Sequence, residues 1–411
     1  MPAPLTTTCC IVGGGPAGMM LGYLLARAGV EVIVLEKHGD FFRDFRGDTI
    51  HPSTLENFHE LGLLDDFLKL PHQELRHIEA QIGDETFAVA DFTHLPTRCK
   101  FVAFMPQWDF LDFLAVQGRK RKTFRLLMET EGIDLIREVG RVVGVRTRSA
   151  AGESEIRAPL TVAADGRHST IRDASKLEVM DFGSPIDVLW LRLSKRPEET
   201  LESFGRAIPG RLIVMIDRGD YWQCAFVIEK GAFDAMRRRD VSELHAELKR
   251  ALPRLADRVG EIKSWDDAKL LTVKVDRLKQ WWQPGLLCIG DAAHAMSPVG
   301  GIGINLAIQD AVAAANILAE PLRAKRLSNG DLNRVQARRE PPARRTQNVQ
   351  VFIQRQVIAR VLQAKRKLPV PFPLRVLNAI PYLRRIPARF VGLGVQPEHV
   401  RSRDDRATLK P

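Results

Sequence analysis

One stretch limits the fold more than any other: Cys9-Cys10-Ile11-Val12-Gly13-Gly14-Gly15-Pro16-Ala17-Gly18. It reads as a short buried strand, a glycine loop, then a helix over residues 16–28 with Gly29 as its stop. A second apolar strand, residues 30–35, ends at Glu36. Strand, G-x-G-x-x-G, helix, strand and acid together predict a dinucleotide site. Gly13 permits the tight turn, Gly15 lets backbone approach a pyrophosphate, and Gly18 lets helix and strand pack. The helix N-terminus offers free N–H groups to phosphate, and Glu36 can accept from a ribose hydroxyl.

The remaining chain places other strand ends around this one. Residues 160–164 form a buried strand ending in Asp165-Gly166-Arg167. Residues 285–290 form another, ending at Asp291, and Gly300-Gly301-Ile302-Gly303 then opens a helix over 306–318. Amides at Ile304 and Asn305, with the helix dipole, favour negative charge nearby, and Asp291 can accept from a polyol hydroxyl. Taken alone, these residues leave phosphate binding as the runner-up reading of the loop. Behind it, His294 reads as a packing and hydrogen-bonding residue, not a base. Between these motifs the pattern changes. Residues 187–193, 211–216 and 221–228 are strands without helices between them, and residues 78–90 form a hairpin about Gly83-Asp84. Ser53 and Glu56 have the spacing of a capping box for a helix over 53–61. Gln107 opens a helix to residue 118, and a further helix covers 332–367 before prolines break the chain.

Composition narrows the class. The 411 residues are 45% hydrophobic and 27% charged, as in a globular protein. Five cysteines without a C-x-x-C pair predict buried thiols in a reducing compartment, neither a disulfide frame nor a zinc site. No secretion signal is read at the start, and no run is read as approaching the ~20 apolar residues of a membrane span. That predicts a cytoplasmic protein. Residues 321–411 hold 21 Lys+Arg against 5 Asp+Glu, a net of +16, so the rest of the +11 chain carries −5. A solvated basic face or peripheral contact with the inner face of a membrane both fit. A nucleic-acid partner is not indicated, since no stacking platform accompanies the charge.

Gly13 to Gly18, Glu36-Lys37, Ala164-Asp165-Gly166-Arg167 and Gly290-Asp291 to Asn305, in that order, resemble the single-component FAD-dependent aromatic hydroxylases, the para-hydroxybenzoate hydroxylase-like flavoprotein monooxygenases. The likeness covers about residues 8–340. It implies a Rossmann-like α/β FAD-binding domain (1–75, 98–180, 265–340), an inserted antiparallel-sheet substrate domain (76–97, 181–264) and a helical basic C-terminal segment (341–411). By resemblance Gly13, Gly15, Pro16, Ala17 and Gly18 wrap the FAD pyrophosphate, and Glu36, with Lys37 beside it, holds the adenosine ribose. Arg46 and Gln107 match flavin or ribityl contacts, Asp165 an FAD and NAD(P)H contact, and Asp291 the ribityl acid. Gly301, Ile304 and Asn305 match the isoalloxazine loop, and Pro298 a proline facing the substrate.

The implied reaction reduces FAD with NADH or NADPH, adds O₂ at flavin C4a, and passes OH to an electron-rich ring or quinone-like substrate. No protein nucleophile and no metal are expected. Trp190, Arg192, Met215 and Trp222 are candidate pocket residues, with Tyr221 a candidate proton relay. The family commonly has two prolines where this chain has Ser297-Pro298, a departure that puts the polarity beside the flavin in question. The alternatives are an FAD-dependent reductase or epoxidase of an isoprenoid or quinone precursor at a membrane, and a non-enzymatic flavin redox module.

Overall fold

A computed structural model of the chain describes residues 4–42, 49–199, 203–366 and 368–405. At its centre lies a six-stranded sheet in the order Trp282–Gln283, Leu286–Cys288, Leu160–Ala163, Cys9–Val12, Val32–Leu35, Phe124–Leu127. Every pairing is parallel except that of Trp282–Gln283 with its neighbour. Alternation along Cys9–Val12 divides the core. Cys9 and Ile11 pack under the helices Pro16–Arg27, Gln107–Arg119 and Gly303–Arg323, whereas Cys10 and Val12 pack against Leu135, Val145 and Ile156 of a four-stranded sheet on the other face. All five cysteines are buried and free.

A seven-stranded sheet forms the second layer, in the order Lys269–Leu271, Ile186–Ser194, Tyr221–Glu229, Arg211–Asp217, Phe204–Ile208, His77–Ile82, Glu85–Asp91. Phe204–Ile208 pairs parallel with His77–Ile82, which brings the early hairpin into the same sheet as the later strands. Phe204–Ile208 carries no clean alternation and was not foreseen. A strand expected over 270–275 from its apolar run ends early, with residues 272–275 as coil, since pairing stops at Leu271. A small three-stranded sheet, Thr49–Ile50, Val102–Phe104 and Gln73–Leu75, stands beside the two large ones.

Three local expectations change. The helix at 53–61 is Pro52–Glu60, capped by His51 without a side-chain bond, so there is no capping box. Ser53 instead donates to Asn305 Oδ1 at 2.6 Å, and Glu56 accepts from the Arg98 amide at 2.9 Å. Tertiary partners have taken both ends of the motif. The C-terminal helix is Asn329–Ile353, followed by a π-helical turn Gln354–Ile358 and a last turn Ala359–Gln363. The stretch Val299–Arg323 is long and apolar enough to cross a membrane, contrary to expectation. Some 78% of its apolar window is buried inside the protein, where it serves as a core helix.

Candidate flavin site

Four parallel strand ends meet at one edge of the central sheet. Gly13 N–H donates to Leu35 O at 2.9 Å, Ala164 N–H to Val12 O at 2.8 Å, and Ile289 N–H to Ala163 O at 3.0 Å. The glycine loop, the Asp165 loop and the Asp291 loop are therefore neighbours at the carboxyl edge, where open α/β sheets bind ligands.

The three motif glycines do different work. Gly13 has φ +110°, and a Cβ there would lie 2.4 Å from Ala164 O. A Cβ on Gly18 would lie 1.9 Å from Gly13 O. Both are closed by protein. A Cβ on Gly15 would meet nothing within 4 Å, although Gly15 sits at the N-terminus of helix Pro16–Arg27. Open space at that glycine, beside the first-turn amides of a helix, is what a pyrophosphate requires. Glu36 turns into this loop, its Oε2 accepting from Gly14 N–H at 3.2 Å and its Oε1 from His38 N–H at 3.1 Å. Lys37 is exposed beside it.

The second and third motifs are joined by charge. Arg167 Nη2 lies 3.4 Å from Asp291 Oδ2. Buried Arg172 supports Arg167 by donating to its carbonyl at 3.0 Å, and itself pairs with Asp276 at 3.4 Å. Asp165 accepts from Ser169 Oγ and, at 3.2 Å, from Ile171 N–H, so its carboxylate caps the helix Thr170–Ser175. Burial pushes that carboxyl above its usual range. Gly290 (φ +59°) sits where a Cβ would be 3.1 Å from Ala17 Cβ and 3.3 Å from Ala307 Cβ, so this loop and the starts of two helices converge.

The loop from Pro298 is held from three directions. Thr49 Oγ1 donates to Gly301 O at 3.0 Å, and His51 spans Gly301 O at 3.0 Å and Val391 O at 2.7 Å. Asn305 is buried, and its Oδ1 accepts from Ser53 and, at 3.2 Å, from Thr54. Its Oδ1 thus braces the helix Pro52–Glu60, and the first-turn amides of Gly303, Ile304 and Asn305 stand at the head of the helix that follows the loop. From behind, Gln350 Nε2 donates to Ser297 O at 3.0 Å and Val299 O at 2.9 Å, and Gln354 Nε2 donates to Ser297 Oγ at 2.6 Å. Ser297 is buried and turned toward that helix, so its hydroxyl does not make the flavin side more polar. His294 lies deeper, 2.6 Å from Asp310. Asp310 also takes Gly290 N–H at 3.0 Å and Arg339 at 3.0 Å. Burial pushes this carboxyl up; His294 and Arg339 outweigh that and hold it below its usual range.

The substrate candidates separate by sheet face. Trp190 shares an apolar cluster with Val299 and so faces the Pro298 loop. Arg192 and Tyr221 lie further along that face, the guanidinium 4.0 Å from the ring centre. Met215 and Trp222 point to the opposite face and pack with Leu244 and Leu248 of helix Val241–Ala251. Trp222 Nε1 is taken by Glu199 at 3.0 Å. These two are core, not pocket, because period-two alternation turns them away. Gln107 is half-buried at the start of its helix, and Pro298 is half-buried at the head of its turn. Arg46 lies outside the described residues. His51, Arg172 and the glutamines of the C-terminal helix were not anticipated. Only Gln347, Gln350 and Gln354, spaced three and four apart on one helix face, left any trace in the sequence.

Glycine loop, paired acids and flavin-type loop define a nucleotide-binding flavoprotein. The chain belongs to the family described as FAD binding domain, which matches residues 6–349. A 6-methylpretetramide 4-monooxygenase of Streptomyces rimosus is 32% identical over 404 residues, 96% of this chain and 94% of that protein. A para-nitrophenol 4-monooxygenase of Pseudomonas sp. (strain WBC-3) is 25% identical over 323 residues, 73% of this chain and 75% of its own length. The solved structure of p-nitrophenol 4-monooxygenase from Pseudomonas putida DLL-E4 has a TM-score of 0.75 at 19% identity, over 93% of this chain and 97% of that one, and shows the same fold. The protein is an FAD-dependent monooxygenase of the para-hydroxybenzoate hydroxylase-like family, an oxidoreductase whose reductant is NAD(P)H.

Proposed function

We propose that the chain hydroxylates an aromatic ring bearing a phenolic oxygen, held between the Pro298–Gly301 loop and the Trp190 face of the seven-stranded sheet. One observation carries this reading. The loop is tied on one side to Thr49, whose strand partner is Phe104, and packs on the other through Val299 in the cluster that holds Trp190. A cleft of about 290 Å³ lined by Gln73, Glu74, Leu75, Phe104, Ser203 and Asp217 lies between the three-stranded and the seven-stranded sheet, on the Phe104 side of that tie. Leu75 and Phe104 give it an apolar side and Gln73, Glu74, Ser203 and Asp217 a polar one, which supports a ligand with an aromatic ring and a polar substituent. The phenol named for the Pseudomonas relative supports that class.

Bound FAD supplies the redox chemistry, taking two electrons from NAD(P)H and activating O₂. In balance, substrate, O₂, NAD(P)H and a proton give hydroxylated product, NAD(P)⁺ and water. The chain supplies binding and placement. Gly13, Gly15, Pro16, Ala17 and Gly18 receive the pyrophosphate, Glu36 the ribose, and Asp291 a ribityl hydroxyl. Gly301, Ile304 and Asn305 offer backbone at a helix N-terminus, where negative charge is stabilised. Pro298 and Trp190 press on the ring and exclude water, while Tyr221, with Arg192 over its ring, is the candidate relay for a phenolic proton. The test is a library of phenols screened for stimulated NAD(P)H oxidation. With the right substrate peroxide release should fall and ¹⁸O₂ should label the product. A product formed without oxygen, or labelled from water, would sink the proposal.

A further inference from the structure

Residues 341–397 contain 11 Lys+Arg and no Asp or Glu. Beyond Gln350 it packs at one face of the seven-stranded sheet and the rim of that sheet. Ile358 and Leu362 pack inward against Val188 and Val227, while Ala388 and Leu393 pack inward with Phe92 and Phe104. Its outward side is apolar as well. Phe372 is 76% exposed, Tyr382 and Ile386 67% each, Phe352 63% and Ile380 49%. With Val349 and Val357, seven of the 13 exposed large hydrophobics among the described residues fall in this one segment. The cations lie among them. Arg355, Arg360, Lys365, Arg366, Arg375, Arg385 and Arg389 are exposed, and Arg385 sits 4.5 Å from the Tyr382 ring centre.

A solvated charged face mixes both signs and keeps large apolar groups scarce. This one does neither. A second copy of the same patch would bring like charge against like charge. Aromatic and aliphatic side chains among unopposed arginines instead match the boundary of an anionic bilayer, with apolar groups among the acyl ends and guanidinium groups at lipid phosphate. We propose that the outer face of residues 352–389 docks on an anionic membrane, led by Phe372, Tyr382 and Ile386. This docking stands whether or not the substrate is the phenol proposed above.

The experiment is co-sedimentation of the full-length, FAD-loaded protein with vesicles of phosphatidylcholine alone or with about 30% phosphatidylglycerol, where each surface cation is worth about fivefold in partitioning. Pelleting should need the anionic lipid and should weaken in high salt. Arg375→Gln/Arg385→Gln/Arg389→Gln should lower partitioning about 100-fold, since three such contacts are lost. Phe372→Ser/Tyr382→Ser/Ile386→Ser should lower it at least as much, with FAD content and melting temperature of both variants unchanged. Protein that stays in the supernatant with anionic vesicles at low salt overturns the proposal, as does equal pelleting of wild type and both variants. Self-association, or capture by an acidic protein, that the serine variant abolishes while vesicles bind neither form would also overturn it.

Discussion

Gly15→Val and Gly18→Val should fail in opposite ways, although the two glycines are three residues apart in one motif. Gly15 has φ −74° and ψ −177°, extended backbone that valine adopts readily, and its Cβ direction is open. The variant loses only a favoured helix cap, about 0.5–1 kcal/mol of apoprotein stability. FAD binding is another matter. The valine fills the space beside the first-turn amides, and losing two hydrogen bonds to a charged phosphate at about 1.5–3 kcal/mol each weakens FAD by roughly 10²–10⁴-fold. At Gly18 the new Cβ would stand 1.9 Å from Gly13 O, and Gly13 cannot retreat because Ala164 and Asp165 close its other side. That overpacking belongs at or beyond the upper end of the ~1–3 kcal/mol range and lowers apoprotein stability first. Urea unfolding of FAD-stripped protein and titration of FAD fluorescence separate the two effects. If Gly15→Val unfolds as easily as Gly18→Val, or binds FAD like wild type, the division of labour in the loop is wrong.

Asp291→Ala should weaken FAD by about tenfold to a hundredfold, the cost of one hydrogen bond to a charged group, and should also free Arg167; equilibrium dialysis reads it. Gln350→Leu releases two carbonyls flanking Pro298, and should raise the peroxide formed per NAD(P)H oxidised while FAD affinity holds. Unchanged coupling would show that the loop needs no support from that helix. The hydrogen bond from Arg258 holds the Glu199 carboxyl down at about 2, against the upward push of burial. A folded value below the unfolded one, about 4.3, stabilises the protein fully above that pH, and this is lost as pH falls from ~4 toward 2. Glu199→Gln should therefore flatten the acid limb of unfolding, and a limb unchanged from wild type would refute the link.

What could be read from the sequence was whatever is local. The strand, loop and helix at Cys9–Arg27 need only neighbours in the chain, and so do the strand ends at Asp165 and Asp291. What could not be read is what arrives from elsewhere. Ser53 and Glu56 have capping-box spacing, yet Ser53 bonds to a residue 252 positions away. Met215 and Trp190 looked equivalent because alternation assigns two faces without saying which one meets the flavin loop. The packing of helix Val241–Ala251 on one side and of the Pro298 loop on the other makes that choice. Similarly, Val299–Arg323 satisfies the composition of a membrane span, and only the layers around it make it a core helix.

Ser297 shows how much a family pattern leaves open. On sequence alone, a serine in place of proline puts a hydroxyl next to the flavin loop. In the structure that hydroxyl accepts from Gln354 Nε2 at 2.6 Å and from Val299 N–H at 3.2 Å, and so faces the C-terminal helix. The exchange trades the fixed φ of a proline for two hydrogen bonds as the means of fixing the turn before Pro298. Gln354 begins the π-helical turn, and Gln350 one turn earlier holds the carbonyls of Ser297 and Val299. Spacing of three and four along the helix before that turn brings Gln347, Gln350 and Gln354 to one face, so successive glutamines bear on one loop. Rigidity before Pro298 is here supplied by a helix some 50 residues further along the chain.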